Sequence, residues 1–209
     1  TEYQIDCSSH SGLDGFTIVQ ISDFHNEEFG KNQQKMIEKV KKCNPDMIAI
    51  TGDFIDCRNP NVEIAMKFIT GAVEIAPVFY VPGNHERWAQ KEYKKLCQQM
   101  SEAGVHLVAN QAEIISYGAG KFVCMGIEDP DFYNVIGSEA EKETARSNIE
   151  KMQYTEDDFS LLLSHRPELF DVYVEEEVDL VLTGHAHGGQ FRLPVIGGLV
   201  APNQGLFPK

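Results

Sequence analysis

Five short polar clusters carry the candidate chemistry of this 209-residue chain: Asp23-Phe24-His25, Gly52-Asp53, Gly83-Asn84-His85-Glu86, Ser164-His165 and Gly184-His185-Ala186-His187-Gly188-Gly189. They supply Asp, Asn and His, the oxygen and imidazole ligands that suit divalent first-row metals. Each follows an apolar run, where a strand is expected to end, and ligands of an open α/β sheet collect beyond the carboxyl ends of its strands. Two ions about 3.5–4 Å apart need a shared ligand, usually a carboxylate. Asp53 is the natural bridge, because Gly52 lets the backbone come close. The pattern points to hydrolysis at a metal pair.

The clusters differ in weight. D-x-H and G-D recur by chance in many chains. G-N-H-E says more, since Gly, Asn and Glu continue a strand poorly and a turn histidine needs a role. G-H-A-H-G-G says most, with two imidazoles at i and i+2 among glycines. A bland reading, in which each histidine is a satisfied core or surface residue, would have to hold five times in order. It suits His10 and His106, which lie outside the pattern and read as structural or exposed. Glu86 is either a support behind the ligands or a carboxylate favoured by a helix N-terminus. Arg166 and Arg192 are either clamps for a substrate phosphate or surface arginines pairing with the abundant Glu. The loop from Glu128 to Gly137, with Phe132 and Tyr133, reads as a pocket wall or as ordinary packing, and Glu175 to Glu177 as a solvated face.

The elements that must position these clusters alternate. Strands are expected over Phe16–Ser22, Met47–Thr51, Val78–Val81, Val105–Val108, Glu113–Ser116, Phe122–Ile127, Phe159–Ser164 and Leu180–Thr183. Helices are expected over Asn32–Lys42, Val62–Thr70, Trp88–Ala103 and Glu139–Met152, with a helical turn over Pro167–Tyr173. Pro45 ends the first helix, since the residue before a proline is pushed out of the α region. Gly104 caps the third. Tyr117-Gly118-Ala119-Gly120 reads as a hairpin turn, so the α/β class should combine largely parallel strands with an antiparallel portion. The tail from Gln190 is rich in Gly and Pro. Residues 1–209 read as one domain.

A formal net charge of −14 and no strong basic run make nucleic acid an unlikely partner, since phosphate backbones need clustered Lys and Arg. The five cysteines are scattered without a C-x-x-C spacing and fit neither a disulfide framework nor a zinc ribbon. Cys124 lies in an apolar run as a small core residue. Nothing reaches the ~18 apolar residues that span a bilayer. The chain starts at Thr1, so an upstream anchor is compatible with it, and a cytoplasmic or membrane-associated location is expected.

The ordered set D-x-H, G-D, G-N-H-E, H and G-H-x-H-G resembles the calcineurin-like metallophosphoesterase superfamily, from Asp23 to Gly189. The wording IVQISDFHN, ITGDFID, VPGNHE and LTGHAHGGQFRLP is similar to its bacterial branch of often membrane-associated phosphodiesterases. Phe24 stands where that branch commonly has Leu. The resemblance implies an α/β/β/α sandwich of two mixed sheets flanked by helices. It also implies two divalent ions (Mn, Fe or Zn), one held by Asp23, His25, Asp53 and His187, the other by Asp53, Asn84, His165 and His185. His85 would be the catalytic residue beside the scissile phosphate, while a hydroxide bridging the ions attacks phosphorus in line. The substrate would be a small or lipid-linked phosphoester, with UDP-diacylglucosamine-type pyrophosphate cleavage as an alternative to phosphodiester hydrolysis. A catalytically dead scaffold of the same fold is a weaker alternative, because all five cluster histidines are kept. Relatives of the branch continue for several strands beyond Lys209, so the domain is expected to be cut short there.

Overall fold

The computed structural model describes residues 1–7, 12–135, 137–152 and 158–187 in full, and the backbone of 191–193, 197–201 and 205–206. His10, Gly188, Gly189 and the side chain of Arg192 lie outside the described residues.

Two four-stranded sheets face each other. The first holds β1 (Ile18–Ile21), β2 (Met47–Thr51), β3 (Val78–Val81) and β4 (His106–Leu107), in that order and parallel throughout its described strands. The second holds β5 (Gln111–Tyr117), β6 (Gly120–Gly126), β7 (Phe159–Leu163) and β8 (Leu180–Leu182). Only β5 runs antiparallel there, because the tight turn at Gly118 and Ala119 can join neighbouring strands in no other sense. Of the two mixed sheets expected, then, one is mixed and one is parallel. In the tail the backbone forms a separate antiparallel sheet of β9 (Phe191–Leu193), β10 (Gly197–Ala201) and β11 (Gly205–Leu206), in a stretch where no strand was expected.

Strand periodicity explains the layers. Alternate side chains point to opposite faces of a sheet. In β2 and β3, Ile48, Ile50, Val78 and Tyr80 pack under the helices, whereas Met47, Ala49, Phe79 and Val81 face the second sheet. There they meet Phe122, Cys124, Leu161 and Leu163. The other face of that sheet, with Val123, Met125 and Leu162, is covered by a second helical layer. Strands buried on both faces read as unbroken apolar runs, as MIAIT and VFYV do. The result is the expected α/β/β/α sandwich.

Three helices cover the first sheet: α1 (Gln34–Lys42), α2 (Val62–Ala72) and α4 (Gln90–Glu102). Asn61 caps α2 by accepting the Ile64 N–H at 3.1 Å. α1 begins later than its apolar spacing suggests, because Asn32 and Gln33 are left-handed (φ 54° and 63°). Gln33 is wholly buried and bonds the Phe29 N–H and the Glu27 carbonyl. The expected helix Trp88–Ala103 starts earlier and breaks in two: α3 (Asn84–Trp88), then α4 after Ala89, which is non-helical at φ −101°, ψ 42°. The second helical layer is α5 (Ser138–Glu150) and α6 (Phe170–Glu175). Among the described residues no helix is long and apolar enough to cross a membrane.

Candidate metal centre

The described residues of the five clusters lie in the turns that leave β1, β2, β3, β7 and β8, all at the carboxyl edges of the parallel strands. Both sheets contribute, and their edges are laced together. Gln20 of β1 donates to Thr51 Oγ1 and to the Thr183 carbonyl just after β8. The backbone N–H groups of Asp23 and His25 bond the carbonyls of Gly52 and Asp53, and the His185 N–H bonds the Asp23 carboxylate.

The turns hold an unusual conformation. Asp23, His25, Asp53, His185 and His187 all have positive φ, between 46° and 65°. Bulky residues rarely adopt this region, and it clusters where a side chain must be aimed against backbone preference. Room is equally tight: a Cβ on Gly52 would lie 2.6 Å from His165 Nδ1 and 2.7 Å from the Gly83 nitrogen.

Donor atoms converge accordingly. One group unites Asp23, His25, Asp53 and His187, with one donor atom from each within 4.8 Å of the others; a second unites Asp53, His165 and His185. Asp53 is common to both and almost wholly buried. His25 Nε2 and His187 Nε2 approach to 3.4 Å, His187 Nε2 lies 3.4 Å from Asp23 Oδ1, and His165 Nε2 lies 3.2 Å from Asp53 Oδ2. Metal–nitrogen bonds of ~2.0–2.1 Å at a tetrahedral angle put two imidazole nitrogens about 3.4 Å apart, so the first group has the spacing of a metal site. The second passes a different test. Asn84 Oδ1 is buried without a hydrogen-bond partner, and His165 Nε2 faces only the Asp53 carboxylate. Leaving such atoms unpaired is costly unless an ion receives them.

Two histidines are held in opposite tautomers. His165 Nδ1 lies 2.8 Å from the Thr51 carbonyl, which only an N–H can satisfy, so Nε2 is the atom free to ligate. His85 Nδ1 instead accepts the Cys57 N–H at 3.1 Å, which leaves the hydrogen on Nε2, 4.0 Å from Asp53 Oδ2. The first arrangement suits a ligand, the second a proton donor.

The pKa shifts within the cluster reflect the crowding of its own charges. Burial pushes the Asp53 carboxyl up, but His165 and the His85 N–H overcome this and hold it well below the carboxylate range. Burial works against protonation of His165, yet the Asp53 carboxylate raises it to about 9. Burial and the Arg166 charge lower His185 to about 4, and burial is the main cause of a lowered His25.

Several residues around the centre carry no motif. Asp56 Oδ1 lies 3.7 Å from His85 Nδ1, and with His25 these two form a third convergent group. Asn26 shapes that loop by accepting the N–H groups of Asp56 and Asn61. Arg166 fits neither of its expected roles. Its guanidinium is buried and forms a bidentate pair with Asp129 (2.5 and 2.8 Å), with Asp131 and Glu168 beside it. Tyr133 bonds Glu128, Asn110 and Asn148, and Phe132 packs edge-on against Tyr93. His106 stacks on Phe79 and pairs with Glu113 at 2.7 Å, away from the five clusters.

Residues 16–189 match the family model for calcineurin-like phosphoesterases. The chain belongs to that family. The metallophosphoesterase YkoQ of Bacillus subtilis is 29% identical over 182 residues, covering 85% of this chain and 63% of the relative. The phosphodiesterase YaeI of Escherichia coli is 29% identical over 191 residues, covering 90% and 66%. This chain therefore spans somewhat less than two thirds of either relative. The crystal structure of phosphopantetheinyl hydrolase from Mycobacterium tuberculosis shares the fold, with a TM-score of 0.57 at 14% identity, covering 88% of this chain and 89% of that one.

Proposed function

We propose that this chain hydrolyses a phosphodiester using two divalent ions, manganese, iron or zinc. Asp23, His25, Asp53 and His187 would hold one, and Asp53, Asn84, His165 and His185 the other. When bound, such ions neutralise charge growing on the phosphoryl oxygens and lower the pKa of water until it is a nucleophile at neutral pH. His85 is the general acid. Its Nε2 hydrogen faces the Asp53 side of the centre, and Cys57 keeps it there. The opposed tautomers of His165 and His85 carry this reading, because they separate a ligand from an acid within one cluster.

The leaving group departs on the His85 side. Trp88 stands there, 58% exposed, its ring 5.5 Å from that of His85. An exposed indole ring beside the acid favours a diester with a bulky leaving group over a monoester. The same surface suits a lipid-linked nucleotide pyrophosphate, which is the second reading.

The test is metal analysis together with a panel of a phosphomonoester, a diester and a nucleotide pyrophosphate. Diester turnover dependent on two bound ions is expected. Preference for the pyrophosphate would select the second reading, and failure of every substrate with the metal-loaded protein would favour the scaffold.

A further inference from the structure

Glu86, unlike Asp23 and Asp53, aims away from the convergent ligand atoms, and it is wholly buried. Among the described residues no Lys or Arg forms an ion pair with it. Its two carboxyl oxygens are met by four backbone N–H groups instead. Oε1 accepts those of Phe54 (2.7 Å) and Ile55 (2.9 Å), while Oε2 accepts those of Asp53 (2.8 Å) and Gly83 (2.7 Å). Both oxygens are saturated, and every bond falls in the short range of charge-assisted hydrogen bonds.

The donors come from two separate turns. Three belong to the turn after β2, which carries Asp53, and one to the turn after β3, which carries Asn84 and His85. Nothing in helix capping requires this. Bonding Gly83 alone would complete half of a capping box, but the other three bonds reach across more than thirty residues of chain to the neighbouring turn. A return contact closes the loop: the His85 N–H donates to Asp53 Oδ1 at 2.9 Å.

We propose that Glu86 is a positioning residue that clamps the two turns in one register, so that the shared ligand Asp53, its neighbour Asn84 and the acid His85 converge on one point. The proposal rests on the roles given above to those three residues. It predicts an unusual sensitivity. Glutamine has the same shape but only one acceptor oxygen, so its amide group would face two N–H donors and the clamp would lose half its bonds. Aspartate keeps all the lone pairs on a shorter stem and should hold the turns partly.

The experiment compares Glu86→Gln and Glu86→Asp with Ile149→Ala, which opens a void in the distant α5 layer and serves as a control for stability alone. Mn²⁺ affinity is measured by calorimetry, melting temperature by circular dichroism, and amide exchange in the metal-free protein by NMR. Glu86→Gln is expected to weaken Mn²⁺ binding about 10–100-fold, the usual effect of removing support behind a ligand. It should also speed exchange at Asp53, Phe54, Ile55 and Gly83, with Glu86→Asp intermediate in both. Ile149→Ala should melt lower with Mn²⁺ affinity within twofold of wild type. Unchanged affinity in Glu86→Gln would overturn the proposal, as would an equal loss in Ile149→Ala. Should Glu86→Gln not fold, Glu86→Asp decides by the same comparison. A wild-type protein that binds no Mn²⁺ would count against the two-ion reading, whereas unchanged exchange at the four amides would count against the clamp itself.

Discussion

At the scale of single residues, the centre assigns different consequences to neighbours in the chain. Asp53 lies in both convergent groups, so Asp53→Ala should empty both metal positions and abolish turnover. Metal stoichiometry checks this, and a variant that still holds two ions would remove Asp53 from its bridging place. His85 accepts the Cys57 N–H at Nδ1, which leaves its hydrogen on Nε2 as the proposed general acid needs. His85→Ala should keep both ions and lose about 10²–10⁴-fold in kcat, the range of general acid catalysis. Measuring metal content and kcat together separates that outcome from loss of a ligand. The cluster histidines were legible because an imidazole in a turn after an apolar run has little other use. Asp56 was not, since an aspartate in a polar loop looks the same whether it faces a histidine or water. The Asp129–Arg166 pair was hidden for another reason. Its members are 37 positions apart and meet only because β6 and β7 lie side by side.

At the scale of elements, that pair shows how the strand ends are secured. Arg166 directly follows His165, and Asp129 closes over it from the turn after β6. Asp129→Ala would strand a buried guanidinium and should cost about 3–5 kcal/mol. With about 2–4 °C per kcal/mol for a chain this long, the melting temperature should fall by roughly 10 °C. Thermal denaturation reads this directly, and a shift under about 2 °C would show that Asp131 and Glu168 suffice for Arg166. Strand positions were readable from apolar runs, and their ends fell within a few residues of the structure. The break at Ala89 was not. The apolar spacing of Trp88–Ala103 is continuous, and nothing local reveals that the preceding turn is pulled toward β2. Helix periodicity records which face is buried, not where a tertiary bond interrupts the axis.

At the scale of the molecule, two sheets that bury their faces against each other bring their carboxyl edges to one mouth, and the centre sits where they meet. The layers were foreseen only through family resemblance, because periodicity does not say which strands share a sheet. The chain passes from β4 to β5 without a helix, and that passage starts the second sheet. Ions bound at the shared mouth should brace both sheets at once. Chelation is therefore expected to abolish activity and lower the melting temperature together. Each site held at about 100 times its dissociation constant contributes about 2.7 kcal/mol to folding. Restoring Mn²⁺ should return both properties. Full activity in excess chelator would refute the metal-dependent mechanism.

The left-handed backbone at five of the seven proposed ligands has a consequence for how the protein can change. A histidine at φ 51°, such as His187, burdens the fold by about 1–2 kcal/mol that glycine would not. His187 is also exposed, so its side chain supports little packing. Selection for stability alone would thus drift toward glycine there and dismantle the centre. Durability and the proposed chemistry pull against each other at the same residue, so His187→Gly should raise the melting temperature of the protein while weakening its hold on metal.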